Sequence, residues 1–371
     1  MAKNLTTGRV SNIEILRIVA MILIVMHHFV VHGFSTLPND YSISRVLVDF
    51  FILGGKVGVD LFVLISGYFM VDSKITLRKI LKFIGQVWFY SVVIFILFAY
   101  VVSPNREISF LDGFHYFFPL LYGENWFAST YFWLMLSTPL LNYIINQLST
   151  KQLGMISVMI LFVCSILPVF FEISIILSNY GWFIALYFLA AFIKKSESLN
   201  DDWKKDFGLA VFLYGMLFVL AIYYYRYREQ YSIIVVLIAV ELLNAFRKMK
   251  PFYNKWVNIM ASATFGVYLI HDNVLVRPYL WNEIFQVSFH YGKNGFVLFA
   301  VKVVFLIYII CTVLDLLRQY TVEKIWMKIV NAHIVPKTPL LKKILICLMN
   351  DVIEMIQGIV KKTYFKERRK K

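Results

Sequence analysis

Apolar runs recur along this chain from near its start to about Leu317, and each is long enough, or nearly so, to cross ~30 Å of hydrocarbon as a helix of about 20 residues. Ten are readable: 15–33, 57–71, 83–102, 126–145, 155–171, 180–193, 207–225, 231–246, 257–276 and 296–317. With 60% of its residues hydrophobic and only 16% charged, the chain carries more apolar surface than one soluble core can hide, so lipid is the expected solvent. Hydrocarbon offers no partner to an unpaired backbone amide, and the runs lack the alternation of a barrel strand. The expected fold is therefore all-α, a polytopic bundle of about ten transmembrane helices. No small-residue cleavage site follows the first run, which is expected to be a retained span rather than a removable signal.

Lys and Arg counts set the expected orientation, because positive loops stay cytoplasmic. With both termini inside, about 29 basic residues fall on cytoplasmic segments. Only 7 fall outside: Arg45, Lys56, Arg106, Arg226, Arg228, Arg277 and Lys293. The net charge of +15 is thus mostly a topology signal, divided among loops and tail, and nucleic acid is not an expected partner. Cys164, Cys311 and Cys347 lie in apolar runs without CxxC spacing, which argues against a disulfide framework or a zinc site, and no metal is expected. Residues 1–320 read as one membrane domain and 321–371 as a cytoplasmic basic tail. In that tail, Leu340 to Val360 suits an interfacial amphipathic helix, and the basic run Lys366 to Lys371 suits anionic headgroups, making membrane lipids partners.

Ionisable residues inside a membrane are costly, so those within the runs are informative: Arg17, His27, His28, Asp60, Glu241, His271, Asp272, Lys302 and Asp315. Arg17 and His28 are eleven residues apart, about three helical turns plus ~20°, so they share a face with ~16.5 Å between them along the axis. Met21 and Ile24 complete the stripe, and Glu14 lies one turn before Arg17. On spacing alone, a positive anchor plus a packing histidine explains the pair as well as a catalytic reading does. Asp60 and Ser66 are about 240° apart and cannot share a face. Asp60 has a cation, a histidine or Lys56 as candidate partners, and Ser66 beside Gly67 serves either a carbonyl or close helix contact. His271 is a candidate cavity residue, with Asp272 orienting it or capping the helix. Glu241 and Lys302 are expected to pair if their helices adjoin. Trp126, Tyr131, Phe132 and Trp133 suit an interfacial belt or a sugar platform.

The stretch NIEILRIVAMILIVMHH, Asn12 to His28, resembles the first span of the acyltransferase-3 family, whose motif is Arg or Lys, ten residues, then His. GGKVGVDLFVLISGYF, Gly54 to Phe69, is similar to that family's glycine-rich entry and Ser-Gly-aromatic exit. ITLRKILKF carries Lys79 and Lys82 where many members have two arginines, and FGVYLIHDN resembles the family's tyrosine-leucine-isoleucine-histidine run. Lysine keeps the charge but loses the bidentate fork. NWFASTYFWLMLSTPLLN, Asn125 to Asn142, departs from members with a tryptophan and paired glutamates and resembles the shorter, polysaccharide-modifying ones. An appended esterase-like domain is not expected after residue 320.

The resemblance implies a membrane O-acyltransferase that moves acetyl from acetyl-CoA to a hydroxyl of a surface polysaccharide or its lipid-linked precursor. It implies His28 as base and Arg17 as its catalytic companion on the same face toward the cytoplasm, with Arg17, Arg78, Lys79 and Lys82 on the phosphates of the donor. Asp60, Ser66, Trp126 and His271 are the candidate substrate-site residues. The alternative is a polytopic transporter or flippase of a glycan or small metabolite, although only one broken entry, at Gly54 and Gly55, is visible and no paired repeat. A bacterial plasma membrane is the expected location, and a homo-oligomer is among the assemblies this composition allows.

Overall fold

The computed structural model describes residues 10–102, 110–123, 125–171, 179–196, 202–223 and 231–334. The expected tail helix, the basic C-terminal run, Cys347, Arg106, Arg226 and Arg228 lie outside the described residues. Among the described residues the fold is helical throughout, without a β-strand. The long helices are α1 (Ser11–Val31), α2 (Ile43–Met70) and α3 (Leu77–Leu97), followed by the short α4 (Phe110–Phe117) and α5 (Pro119–Tyr122). Next come α6 (Trp126–Gln147), α7 (Thr150–Leu161), α8 (Leu167–Phe170), α9 (Asn179–Lys195), α10 (Trp203–Tyr223) and α11 (Ile233–Lys248). The chain continues through α12 (Lys255–Ser262), α13 (Thr264–His271), α14 (Val276–Pro278) and α15 (Val287–His290) to α16 (Phe296–Arg318) and α17 (Lys324–Ile329).

Among the described residues, three helices are long and apolar enough to cross a membrane: Ser11–Val31, Leu77–Val102 and Phe296–Ile334. The pair Lys255–His271 and Val276–His290, bent by 85°, makes a fourth if it is one broken span. Along α16, Phe305, Ile309, Val313 and Leu317 are exposed, an apolar outer face that suits hydrocarbon and not water. The protein is therefore a membrane protein.

Helix α1 is the central element, packed chiefly on α2 and touched by α11, α12, α13 and α16. Its first turn has no side-chain cap of its own. Instead, the segment before α12 satisfies it: the Ser11 amide donates to Phe252 O at 3.0 Å, and Asn12 Nδ2 donates to Met249 O and Lys250 O at 3.0 and 3.1 Å. This anchoring fixes the axial position of the Arg17 to His28 stripe. Against α1, α2 comes close at Gly55, where a β-carbon would overlap the His27 side chain. His27 is itself tied by Nδ1 donating to Ile52 O at 2.8 Å.

Three expected spans have different limits. The second is not 57–71 but a 28-residue helix starting at Ile43. Ser42 caps it by accepting from the Arg45 amide, and Arg45 and Asp49 form a double hydrogen bond at 2.9 Å, so charges that read as a loop belong to the helix. The ninth, expected as 257–276, is broken into α12 and α13 and turns sharply after His271. The last does not stop at 317 but continues to Ile334, through π-helical turns at Gln319–Glu323 and Val330–Ile334. Its added polar residues are satisfied internally: Arg318 Nη1 donates to Glu323 at 2.8 Å, and Glu323 pairs with Lys82 at 2.6 Å. The expected Glu241 to Lys302 pair is not formed. Lys302 is exposed, while Glu241 has Asp206 and Lys248 as charged neighbours, themselves paired at 2.6 Å.

In the loop between α1 and α2, Asp40 accepts from the Ser42 hydroxyl and amide and from Tyr291 Oη, and these bonds hold its carboxyl below the usual carboxylate range.

Replacing Gly55 with Ala forces α1 and α2 apart and should cost about 1–3 kcal/mol through overpacking. The measurement is thermal unfolding in detergent, with Gly208→Ala, where nothing lies within 4 Å, as the comparison. Equal melting temperatures for the two variants would contradict the tight α1 to α2 approach.

Candidate active site

His28 and His271 meet at the centre of the bundle, with His28 Nδ1 2.9 Å from His271 Nε2. The protons on this pair can be placed from the next contact. His271 Nδ1 lies 2.6 Å from Val267 O, a carbonyl that only accepts, so Nδ1 carries the hydrogen. In the neutral ring Nε2 is then the acceptor, and the hydrogen between the rings belongs to His28 Nδ1. His28 Nε2 is left with its lone pair, which is the form a general base needs.

Asp272 follows His271 and gathers the remaining polar groups. Its Oδ1 is 3.1 Å from His32 Nε2, 3.7 Å from His28 Nδ1 and 3.7 Å from Arg277 Nη1. It is buried, whereas Arg277 is partly exposed, so a chain of polar groups runs from the buried imidazoles to the rim. Ligand atoms of His28, His32 and Asp272 lie within 4.8 Å of one another, a spacing that suits a metal ion. A metal there would take the nitrogen that His28 now uses toward His271 and the one His32 uses toward Asp272. The arrangement is complete as a hydrogen-bonded chain.

A small pocket of about 20 Å³ adjoins His28, lined by Met21, Ile24, Val59, Trp126 and Tyr268 among others. A larger cavity of about 470 Å³ opens at the Arg17 end, lined by Arg17, Ser66, Lys79, Lys82, Gln86 and Tyr131 among others. Phe62 of α2 and Phe265 of α13 line both, so two aromatic rings are all that the cavities share as a wall. Phe265 stacks on Phe83 with centroids 5.1 Å apart, and Phe62 meets Phe127 edge to face at 5.7 Å. The helical stripe of Arg17, Met21, Ile24 and His28 thus faces the two cavities in succession.

Arg17 is held by Glu14 at 3.0 Å, with its guanidinium 5.4 Å from the Phe69 ring centroid. Lys79 Nζ donates to Lys74 O at 2.9 Å, and Lys82 pairs with Glu323. Arg78 is exposed and does not line the cavity. Trp126 and His271 stand at the His28 end and Ser66 at the Arg17 end. Asp60 is in neither group: it is fully buried and accepts from Trp182 Nε1 at 2.9 Å, a contact between α2 and α9.

Sequence reasoning missed several residues. His32 is one turn beyond His28 on the same stripe, so spacing alone could have found it. Phe62 and Phe265 carry no sequence signal that separates them from other core aromatics. Asp315 stood out as an ionisable residue in an apolar run, but its partners were not foreseen. Asp315 is fully buried and accepts from Tyr90 Oη at 2.8 Å, Gln86 Nε2 at 3.3 Å, Arg318 Nε at 2.8 Å and Gln319 Nε2 at 2.7 Å. Gly266 makes this possible, because a β-carbon there would occupy the Asp315 carboxyl. Gln319 also donates to Ser262 O at 3.1 Å. The cluster therefore ties α3 and α16 to the break between α12 and α13, next to Phe265.

A family model described as an acyltransferase domain, that of acyltransferase 3, matches residues 10–316. No curated protein and no solved structure matches the chain.

Asp315→Ala would leave Arg318 with Glu323 alone and Gln319 with Ser262 O alone, and would take from Tyr90 and Gln86 the buried carboxylate they donate to. We expect a loss of about 3–5 kcal/mol, read as a lower melting temperature of the purified protein. An unchanged melting temperature would show that the cluster does not hold this wall.

Proposed function

This chain belongs to the acyltransferase-3 family, and from that membership and the chemistry around His28 we propose that it is a membrane O-acetyltransferase acting on a hydroxyl of a surface polysaccharide or its lipid-linked precursor. The donor is acetyl-CoA. The observation that carries the reading is the chain from Val267 O through His271 to His28, which leaves His28 Nε2 with a free lone pair on a residue that lines a pocket one aromatic wall away from a cavity bearing cations.

In this mechanism the donor phosphates meet Arg17, Lys79 and Lys82 in the larger cavity, with Arg78 contributing from its mouth by charge alone. The pantetheine arm runs along the stripe of α1 toward His28. His28 Nε2 takes the proton of the acceptor hydroxyl as its oxygen attacks the thioester carbon. The C–S bond breaks, a C–O ester bond forms, and the proton passes from His28 to the departing thiolate, giving free thiol. Asp272, 3.7 Å from His28 Nδ1, stabilises the imidazolium formed on the way. Trp126 at the His28 end offers a stacking face to a sugar, Ser66 a hydroxyl to the donor arm, and Asp60 a fixed contact between α2 and α9 that keeps α2 in place.

The same reading includes ten spans with both ends in the cytoplasm, supported by the excess of basic residues on one set of loops. It puts the larger cavity on the side where the donor exists, and the acceptor on the other. Residues 1–320 are the catalytic membrane domain, set in a bacterial plasma membrane, and its last helix runs on to Ile334 into the basic segment 321–371. A transporter would leave acetyl-CoA intact, so release of thiol by the purified protein separates the two classes.

His28→Ala should lower thiol release and product acetylation by at least about 100-fold with normal membrane yield. Full activity in that variant would remove His28 as base. Arg17→Ala should raise the KM for the donor more than it lowers kcat. An unchanged donor KM would take Arg17 out of the phosphate site.

A further inference from the structure

The pocket beside His28 differs from the larger cavity in both size and lining. Its volume of about 20 Å³ is just above the ~10–15 Å³ that a single water needs when measured with a water-sized probe. Its walls near His28 are Met21 and Ile24 of α1, Val59 of α2 and the rings of Phe62 and Phe265, with Trp126 closing it from α6. Met21 and Ile24 are 2% and 4% exposed, so neither has open space to swing into. Beside Ile24, α2 packs tightly on α1 at Gly58, where a β-carbon would overlap Ala20 O and come within 3.0 Å of Ile24 Cγ1. The α1 and α2 walls therefore cannot separate without breaking this contact.

We propose that this pocket is the acyl-chain subsite and that Met21, Ile24 and Val59 are specificity-determining residues that limit the acyl group to two carbons. The inference rests on the donor reading above. A thioester carbon within reach of a hydroxyl activated by His28 Nε2 places its substituent in this pocket, because the carrier fills the other side of Phe62 and Phe265. A methyl group matches a space of one water-sized probe. A propyl tail has to displace Met21, Ile24 or Val59 from packed positions. An anionic tail such as succinyl also meets an apolar lining with no cation among the wall residues named. Each methylene gained or lost in such a pocket changes selectivity by roughly 10–200-fold.

The test uses the full-length protein in detergent or nanodiscs and measures thiol release from acetyl-CoA, propionyl-CoA and butyryl-CoA. We expect wild type to favour acetyl over butyryl by at least about 100-fold in kcat/KM, and Val59→Ala to raise the butyryl to acetyl ratio by at least about tenfold. Met21→Ala, on a different helix, should move the ratio in the same direction. Both donors are measured on one sample, so a variant that folds less well lowers both rates and leaves the ratio informative. Equal use of acetyl-CoA and butyryl-CoA by wild type would overturn the subsite while leaving the acyltransferase reading standing, as would an unmoved ratio in both variants. Release of thiol from none of the three donors would instead overturn the donor reading, and the subsite with it.

Discussion

Hydrocarbon cannot hydrogen-bond, so a polar side chain buried between helices is costly unless it finds a partner, and the partnerships that cross from helix to helix fix which helices adjoin. The carbonyl of Val267 accepts from His271, and His271 accepts from His28, which joins α13 to α1. Trp182 donates to Asp60, which joins α9 to α2. Gln86 and Tyr90 donate to Asp315 and join α3 to α16, while Arg318 and Gln319 complete its shell from the same helix. Apolar packing fills the space between these joints without specifying them.

The same requirement gives the histidines their chemical states. A lone imidazole in a helix bundle has two equivalent ways to hold its proton. Once Val267 O claims one nitrogen of His271, the tautomers of both rings follow, and the basic nitrogen of His28 is directed by elimination. Helix α13 can supply this only because it ends at His271. A continuous ninth span would carry Asp272 onward along the helix, whereas the turn after His271 lets Asp272 reach His28, His32 and Arg277 together. The turn after His271 is thus part of the site, while the Asp315 cluster braces the other break, between α12 and α13, through Gln319 and Ser262.

Much of the fold was legible in the sequence because apolar runs report burial in lipid directly. The first run was read as 15–33 against Ser11–Val31, and the sixth as 180–193 against Asn179–Lys195. Errors arose where charge was read as exposure. Arg45 and Asp49 neutralise each other on α2, and Arg318 and Glu323 do so on the last helix, so these helices continue past points that hydropathy marks as ends. In the site, the shared face of Arg17 and His28 follows from helical geometry alone, and the structure sets both side chains on cavities along it. Partners from distant segments could not be read this way. His28 and His271 are 243 residues apart, and only tertiary packing determines that they touch. The wall of Phe62 and Phe265 was illegible for a related reason, since 34 phenylalanines give no means of distinguishing these two.

The donor route proposed along α1 is tested by electron cryomicroscopy of the protein with a nonhydrolysable thioether analogue of acetyl-CoA. We expect the phosphates among Arg17, Lys79 and Lys82, the arm passing between Phe62 and Phe265, and the acyl carbon beside His28 Nε2. An analogue seated elsewhere, with those two rings still closed between its sulfur and His28, would contradict a shared path for donor and base.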